Sequence, residues 1–415
     1  MTATSVAAAP VRRRGIRPSF ALGVVAIAAL VLFPVVREAL GASTYLLVYL
    51  YFVFFWVTQA TSWNIFSGYG GYLNFGQNAF YGIGVYATAL LVEHQGTPLL
   101  VILPVAAVAG FLASVLAGLL VFRLRTLEGE IFALFTLALG LGLGLVASNV
   151  NAIDGGRGIV LPDVSYPAWL GSTNEMLYFL GLLLAVISIV VAYVIQRSRI
   201  GYGLAAIRDD EPVAETLGVP AFRYKLTAFG IGGALAAASG ALQAVLISFI
   251  TPAAAFGPEV PMFVILMSFI GGRRRWMGPV IGAILIYTLS DRLTSVGLAE
   301  ANNMIVGALL VLVVVSLRSG MVDQLVARPV PALIAAAVPV TVMVITGHYS
   351  DVIALLLAAM LGALALLLVP DKAYARLRSR RTGAARALEP DAGRGEPLPR
   401  VEASSETDVV RDGAS

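Results

Sequence analysis

Apolar runs of about twenty residues recur along this chain, each closed by a short polar break, and that rhythm leaves few folds open to it. A lipid core is crossed by roughly 20 apolar residues in helical form, and within it the backbone must satisfy its own hydrogen bonds. The runs fall near 19–36, 44–66, 74–92, 98–122, 131–148, 176–195, 226–250, 254–272, 278–295, 302–317, 331–347 and 351–369. An all-α, polytopic transmembrane helical bundle is expected, with about 10 core spans and 2 extra C-terminal spans. Of 415 residues, 59% are apolar and 13% charged, so lipid solvates most of the chain. The run at 254–272 is interrupted by Pro258, Glu259 and Pro261, which predicts a bent or partly unwound entry.

Basic residues orient the spans. With the N-terminus inside, twelve crossings put the loops at 67–73, 123–130, 196–225, 273–277 and 318–330 in the cytoplasm, together with both tails. Only Arg37, Arg157 and Arg292 of the 28 Lys and Arg then fall outside, which follows the positive-inside bias. The chain divides into a basic tail at 1–18, a transmembrane domain at 19–325 with a cytoplasmic loop at 196–225, a further hairpin at 326–370 and a tail at 371–415. That last tail has little to bury and is expected to be disordered, its Lys372, Arg376, Arg378, Arg380 and Arg381 resting on anionic headgroups. Arg12, Arg13, Arg14 and Arg17 ahead of Phe20–Val36 also fit a signal peptide, but the apolar run exceeds a usual h-region and favours an uncleaved first span.

Several chemistries are excluded. Without cysteine there are no disulfides, thiolate ligands or Cys nucleophiles, and His94 and His348 lie in polar breaks where loop ends account for them. A phosphate-cradling loop needs Gly-Lys-Ser/Thr, whereas Lys225 and Lys372 follow Tyr224 and Asp371. No catalytic residue, metal or cofactor is therefore expected in this chain, nor a nucleic-acid partner. Ion-coupled transporters keep ionisable groups inside their spans; Glu93, Asp154, Glu175 and Asp291 sit at span edges or in loops, which argues against that class.

The loop 196–225 carries the strongest local signal. Asp210 suits a helix N-cap, Glu211 and Pro212 a first turn, and Gly218 a C-terminal stop, so a short helix outside the bilayer is predicted. Val213, Ala214 and Leu217 share one apolar face, while Glu211 and Glu215 make an acidic one. Two readings stand on spacing alone: a helix docked in a partner's groove, or one resting on the membrane surface.

The run Glu211-Pro-Val-Ala-Glu-Thr-Leu-Gly218 resembles the cytoplasmic coupling loop of ABC importer permeases. With Ile200-Gly201, Ile207-Arg208 and Tyr224-Lys225-Leu226 around it, the loop is similar to that of the branched-chain amino acid permease family, LivM type. Thr61–Leu90, Gly129–Gly158, Phe269–Ala283 and Leu317–Gly320 extend the resemblance over about residues 44–325. It implies a permease that imports branched-chain amino acids, or related amino acids, amides or urea. It also implies a second permease, two ATPase subunits that bind ATP and Mg, and an extracytoplasmic substrate-binding protein as partners. Asp210, Glu211, Ala214, Glu215, Leu217 and Gly218 would then couple to the ATPase. The chain departs from the family at Arg273–Arg275, where a third glycine usually follows Gly271-Gly272, and in its added C-terminal hairpin.

Six glycines between 68 and 84 predict a helix that is broken or very closely packed. Irregular backbone in lipid must be buried or line a wet cavity, which makes Asn74, Gln77, Asn78 and Tyr81 translocation-path candidates. Residues 149–157 fit a solvated outer turn or a contact for a binding protein. The rivals are an ion-coupled secondary transporter and a non-transporting membrane scaffold.

Overall fold

The computed structural model describes residues 18–39, 43–123, 129–151 and 156–316, with positions 358 and 362 in isolation. In chain order the helices are α1 (Pro18–Ala39), α2 (Tyr45–Trp63), α3 (Gln77–Gln95), α4 (Leu99–Val121), α5 (Glu130–Asn149), α6 (Thr173–Gln196) and α7 (Arg199–Asp209). They continue as α8 (Glu211–Thr216), α9 (Ala221–Ile247), α10 (Pro252–Phe256), α11 (Glu259–Gly271), α12 (Met277–Ser295) and α13 (Ala299–Ser316). Each of the ten runs read between 19 and 317 coincides with helix. Six stretches are long and apolar enough to cross a bilayer: Tyr45–Gly68, Leu99–Val121, Glu130–Asn149, Thr173–Gln196, Ala221–Ile247 and Pro252–Gly271. The last is parted at Gly257-Pro258, where the prolines predicted a break. The expected hairpin at 326–370 and both tails lie outside the described residues.

Exposure follows the solvent. Val108, Leu112, Leu116 and Leu120, four apart along α4, and Leu134, Leu141 and Leu145 on α5 are exposed, an apolar surface suited to lipid. α2 and α9 are enclosed helices: Trp63 at the end of α2, Ile65 and Phe66 just after it, and Ala228, Phe229, Ala236 and Ala241 on α9, are buried. Small residues let α9 approach its neighbours closely. A methyl group on Gly84 of α3 would collide with the Ala237 carbonyl, and one on Gly233 would sit 2.8 Å from the Gly110 carbonyl of α4. The glycine-rich stretch is thus both closely packed and broken, since α2 runs into a π-turn at Asn64–Gly68 and the backbone has no regular secondary structure from 71 to 76. That irregular segment is fastened by Trp63 Nε1 donating to Asn74 O at 2.7 Å and Phe75 N donating to Thr136 Oγ1 at 3.0 Å.

The two ends of the bundle differ in charge. At one, α7, α8 and the turns at 69–76 and 272–276 gather, with Gln196 Nε2 donating to Arg274 O at 2.8 Å. This end holds Arg123, Arg197, Arg199, Arg208, Arg223, Lys225 and Arg273–Arg275. At the other, Arg37 lies 3.9 Å from Glu175, and Tyr45 OH donates to Asp291 Oδ2 at 2.6 Å. Ser172 caps α6 in a reciprocal box with Glu175, its backbone N–H donating to Glu175 Oε2 at 2.8 Å.

Three features depart from the sequence reading. The fold is not purely helical: β1 (Ile159–Val160) pairs antiparallel with β2 (Phe249–Ile250), clasping the α5–α6 loop to the end of α9. The loop after α6 contains a second helix, α7, ahead of the predicted one. Finally, the turn at Arg273–Arg275 forms without a third glycine, because Gly272 alone takes the left-handed conformation (φ 111°) and its carbonyl accepts from Arg275 N at 3.4 Å.

Candidate functional site

α8 has the boundaries its sequence predicts. Asp210 caps it, its Oδ1 accepting from Val213 N at 3.0 Å, and Pro212 occupies the first turn. Gly218 at φ 86° ends it: Gly218 N donates to Glu215 O and Val219 N to Ala214 O, both at 3.0 Å, the paired bonds of a Schellman stop.

The predicted faces are divided differently. Ala214 is 2% exposed and packs into the bundle beside Ile207 and Leu204, so it is not part of an open apolar face. Val213 and Leu217, at 52% and 79%, are the apolar residues left outside. Nor do Glu211 and Glu215 form one acidic surface. Glu215 is exposed, but Glu211 turns inward, where Lys225 Nζ donates to its Oε1 and Tyr72 OH to its Oε2. Lys225, the fifth residue of α9, lies 5.0 Å over the Tyr72 ring and 5.4 Å over the Phe122 ring. One buried ion pair therefore ties α8 to α9, to the turn after α2 and to the end of α4.

Beside this node a cleft of about 630 Å3 is lined by Gly70, Gly71, Tyr72, Arg208, Asp210 and Arg273, among others. Arg208 pairs with Asp209 at 3.6 Å, and Arg273 lies 4.9 Å over the Phe269 ring. Burial first, then the charges of Arg208 and Arg274, hold the Arg273 guanidinium below its ordinary pKa.

At the opposite end a cleft of about 690 Å3 enters between α2, α10, α11, α12 and α13. Of the four polar candidates Tyr81 lines it; the other three are enclosed and hydrogen-bonded within the bundle. Asn74 Oδ1 accepts from Gly76 N at 2.8 Å, Gln77 Nε2 donates to Ser62 Oγ at 2.8 Å and Gln59 Oε1 at 3.1 Å, and Asn78 Nδ2 donates to Phe256 O at 2.6 Å. In this conformation those three hold the irregular segment in place. Asn302 and Trp56, which also line the cleft, and the pairing of Glu211 with Lys225 were not expected from sequence. Glu259 drew notice only as a breaker among prolines, although it is a carboxylate inside an apolar run.

Known proteins resemble this chain along most of the described bundle. The high-affinity branched-chain amino acid transport system permease protein LivM of Salmonella typhimurium is 28% identical over 287 residues, 63% of this chain and 66% of the relative. LivM of Escherichia coli matches to the same extent. The autoinducer 2 import system permease protein LsrC of Klebsiella pneumoniae is 31% identical over 233 residues, 54% of this chain and 64% of the relative. The chain thus spans just under two thirds of the length of these relatives. No solved structure matches it. Residues 45–314 match the family described as branched-chain amino acid transport system / permease component, and with its apolar helices the chain belongs to that family as a multi-pass membrane protein.

Proposed function

We propose that this chain is the membrane-spanning subunit of an ATP-driven importer of branched-chain or related amino acids in a bacterial plasma membrane. On this reading the chain crosses ten times between residues 18 and 316, with the α7–α8 end in the cytoplasm. A second permease lies beside it, two ATPase subunits supply ATP, Mg and the hydrolytic residues, and an extracytoplasmic binding protein delivers cargo. Amides and urea remain within the cargo class.

The observation that carries the reading is the construction of α8. It is a capped, six-residue helix whose root is anchored by a buried ion pair and whose exposed crest presents Val213 and Leu217. A helix merely resting on lipid needs no such anchor, whereas one that transmits force does. Closure of the ATPases would push this crest, and the Glu211–Lys225 pair would pass the displacement to α9.

Because the chain contains no cysteine, Leu217→Cys gives a single labelling site. A membrane-impermeant maleimide should react with it in inverted vesicles and not in right-side-out ones. Leu217→Arg should abolish ATP-driven leucine uptake while the chain still inserts. Labelling from the outer side, or uptake that follows an imposed ion gradient and ignores ATP, would overturn the assignment.

A further inference from the structure

The outer cleft has a one-sided chemistry. Glu259, in the first turn of α11, is exposed and lines it, and among the described residues no Lys, Arg or His does. Its Oε1 accepts a single hydrogen bond, from Asn303 Nδ2 at 3.3 Å, so most of its acceptor capacity is unused. Asn302 donates through Nδ2 to Ser290 Oγ at 2.7 Å, while its Oδ1 is buried without a partner. The aromatic wall completes the pattern. Trp56 stacks on Phe263 at 5.0 Å, and Phe55 meets Trp56 at 5.1 Å and Tyr81 at 5.9 Å. A carboxylate, an orphan carbonyl oxygen and electron-rich ring faces all favour the same visitor, a cation bearing N–H donors.

We propose that this cleft recognises the ammonium end of an amino-acid cargo, with Glu259 as its counter-ion, Asn302 Oδ1 as second acceptor once its enclosed side chain turns toward the cleft, and Trp56 in the flanking aromatic wall. Gln243, also on the wall, commits its Oε1 to the Tyr51 hydroxyl at 3.0 Å and keeps its N–H donors for the carboxylate end. At about 690 Å3 the cleft falls in the range of small-molecule sites. A neutral sugar can offer hydroxyl donors to the carboxylate but no charge to pair with it, and an anion without an ammonium group is repelled by it. The inference rests on the importer reading and sharpens it, since relatives in this family carry cargoes of different chemistry in their names.

The test uses the full-length chain in native membrane vesicles washed free of soluble binding protein. Binding of labelled leucine is compared with that of its 2-hydroxy analogue, in which a hydroxyl replaces the ammonium group. The wild type should bind leucine at least about tenfold more tightly than the analogue, the ratio lost when a charge-assisted hydrogen bond is removed. Glu259→Gln should bring leucine down to the analogue's affinity, Glu259→Asp should restore part of the difference, and Asn302→Leu should weaken leucine alone. Equal affinities in the wild type, no leucine binding, or a Glu259→Gln chain that discriminates as the wild type does would each overturn the proposal. ATP-driven uptake measured in parallel separates the two readings. Leucine bound through Glu259 yet never transported with ATP would sink the importer and leave the ammonium site standing; ATP-driven leucine uptake indifferent to Glu259→Gln would do the reverse.

Discussion

Replacing Lys225 with Met keeps an unbranched apolar stem near the Tyr72 and Phe122 rings and deletes the ammonium group that Glu211 faces. Glu211 then retains only the Tyr72 hydroxyl on a side chain that is 14% exposed. Breaking a buried pair by removing one partner costs about 3–5 kcal/mol, and the remaining bond and partial exposure place this case near 3. The carboxylate can escape that cost by swinging outward, which pulls the first turn of α8 off the bundle. At about 1.4 kcal/mol per factor of ten, the detached population should rise by roughly two orders of magnitude. Hydrogen–deuterium exchange of the full-length chain in lipid nanodiscs should show this as faster exchange across 211–218, with the α4 and α5 segments unchanged. Adding Glu211→Gln to Lys225→Met should recover most of the protection, a coupling above about 1 kcal/mol between touching residues. Exchange at 211–218 that stays within about threefold of wild type, or a double variant no better protected than the single one, would refute the anchoring argument.

Two further substitutions probe the scaffold. Gly84→Val should lower the melting temperature in detergent and reduce folded yield, because its side chain has no room against the Ala237 carbonyl and overpacking costs about 1–3 kcal/mol or more. Gly218→Ala meets no neighbour but must hold φ near 86°, so it should cost about 1–2 kcal/mol. Its effect should appear as faster exchange confined to 213–219, with the global transition unmoved.

Much of the helical framework was legible because lipid imposes a length and a composition on each crossing. α8 was legible for a different reason: Asp210 and Gly218 satisfy its ends locally, whatever surrounds it. α7 escaped notice because Gly201 and Gly203 weaken helix propensity and blur its periodicity. Their role is tertiary: a methyl group on Gly203 would strike the Tyr224 ring. Spacing put Val213, Ala214 and Leu217 on one face, but only the fold of α8 back onto α7 and α9 decides that Ala214 goes in while Leu217 stays out. The same fold brings Glu211 to Lys225, fourteen residues on. The cleft beside Glu259 was the least legible feature, since Trp56, Tyr81, Glu259 and Asn302 meet there from four different helices.

Where α3 and α4 press on α9, Gly84 meets the Ala237 backbone and Gly233 meets the short Ser114 side chain and the Gly110 carbonyl, with no layer of long flexible side chains between them to absorb a shift. Interiors packed to this degree pass strain on instead of damping it. On the importer reading, a push delivered at the first turn of α9 would carry all three helices together as one lever. On that same reading, a rearrangement that opens or shuts a passage would then fall at the boundaries of that trio and not within it.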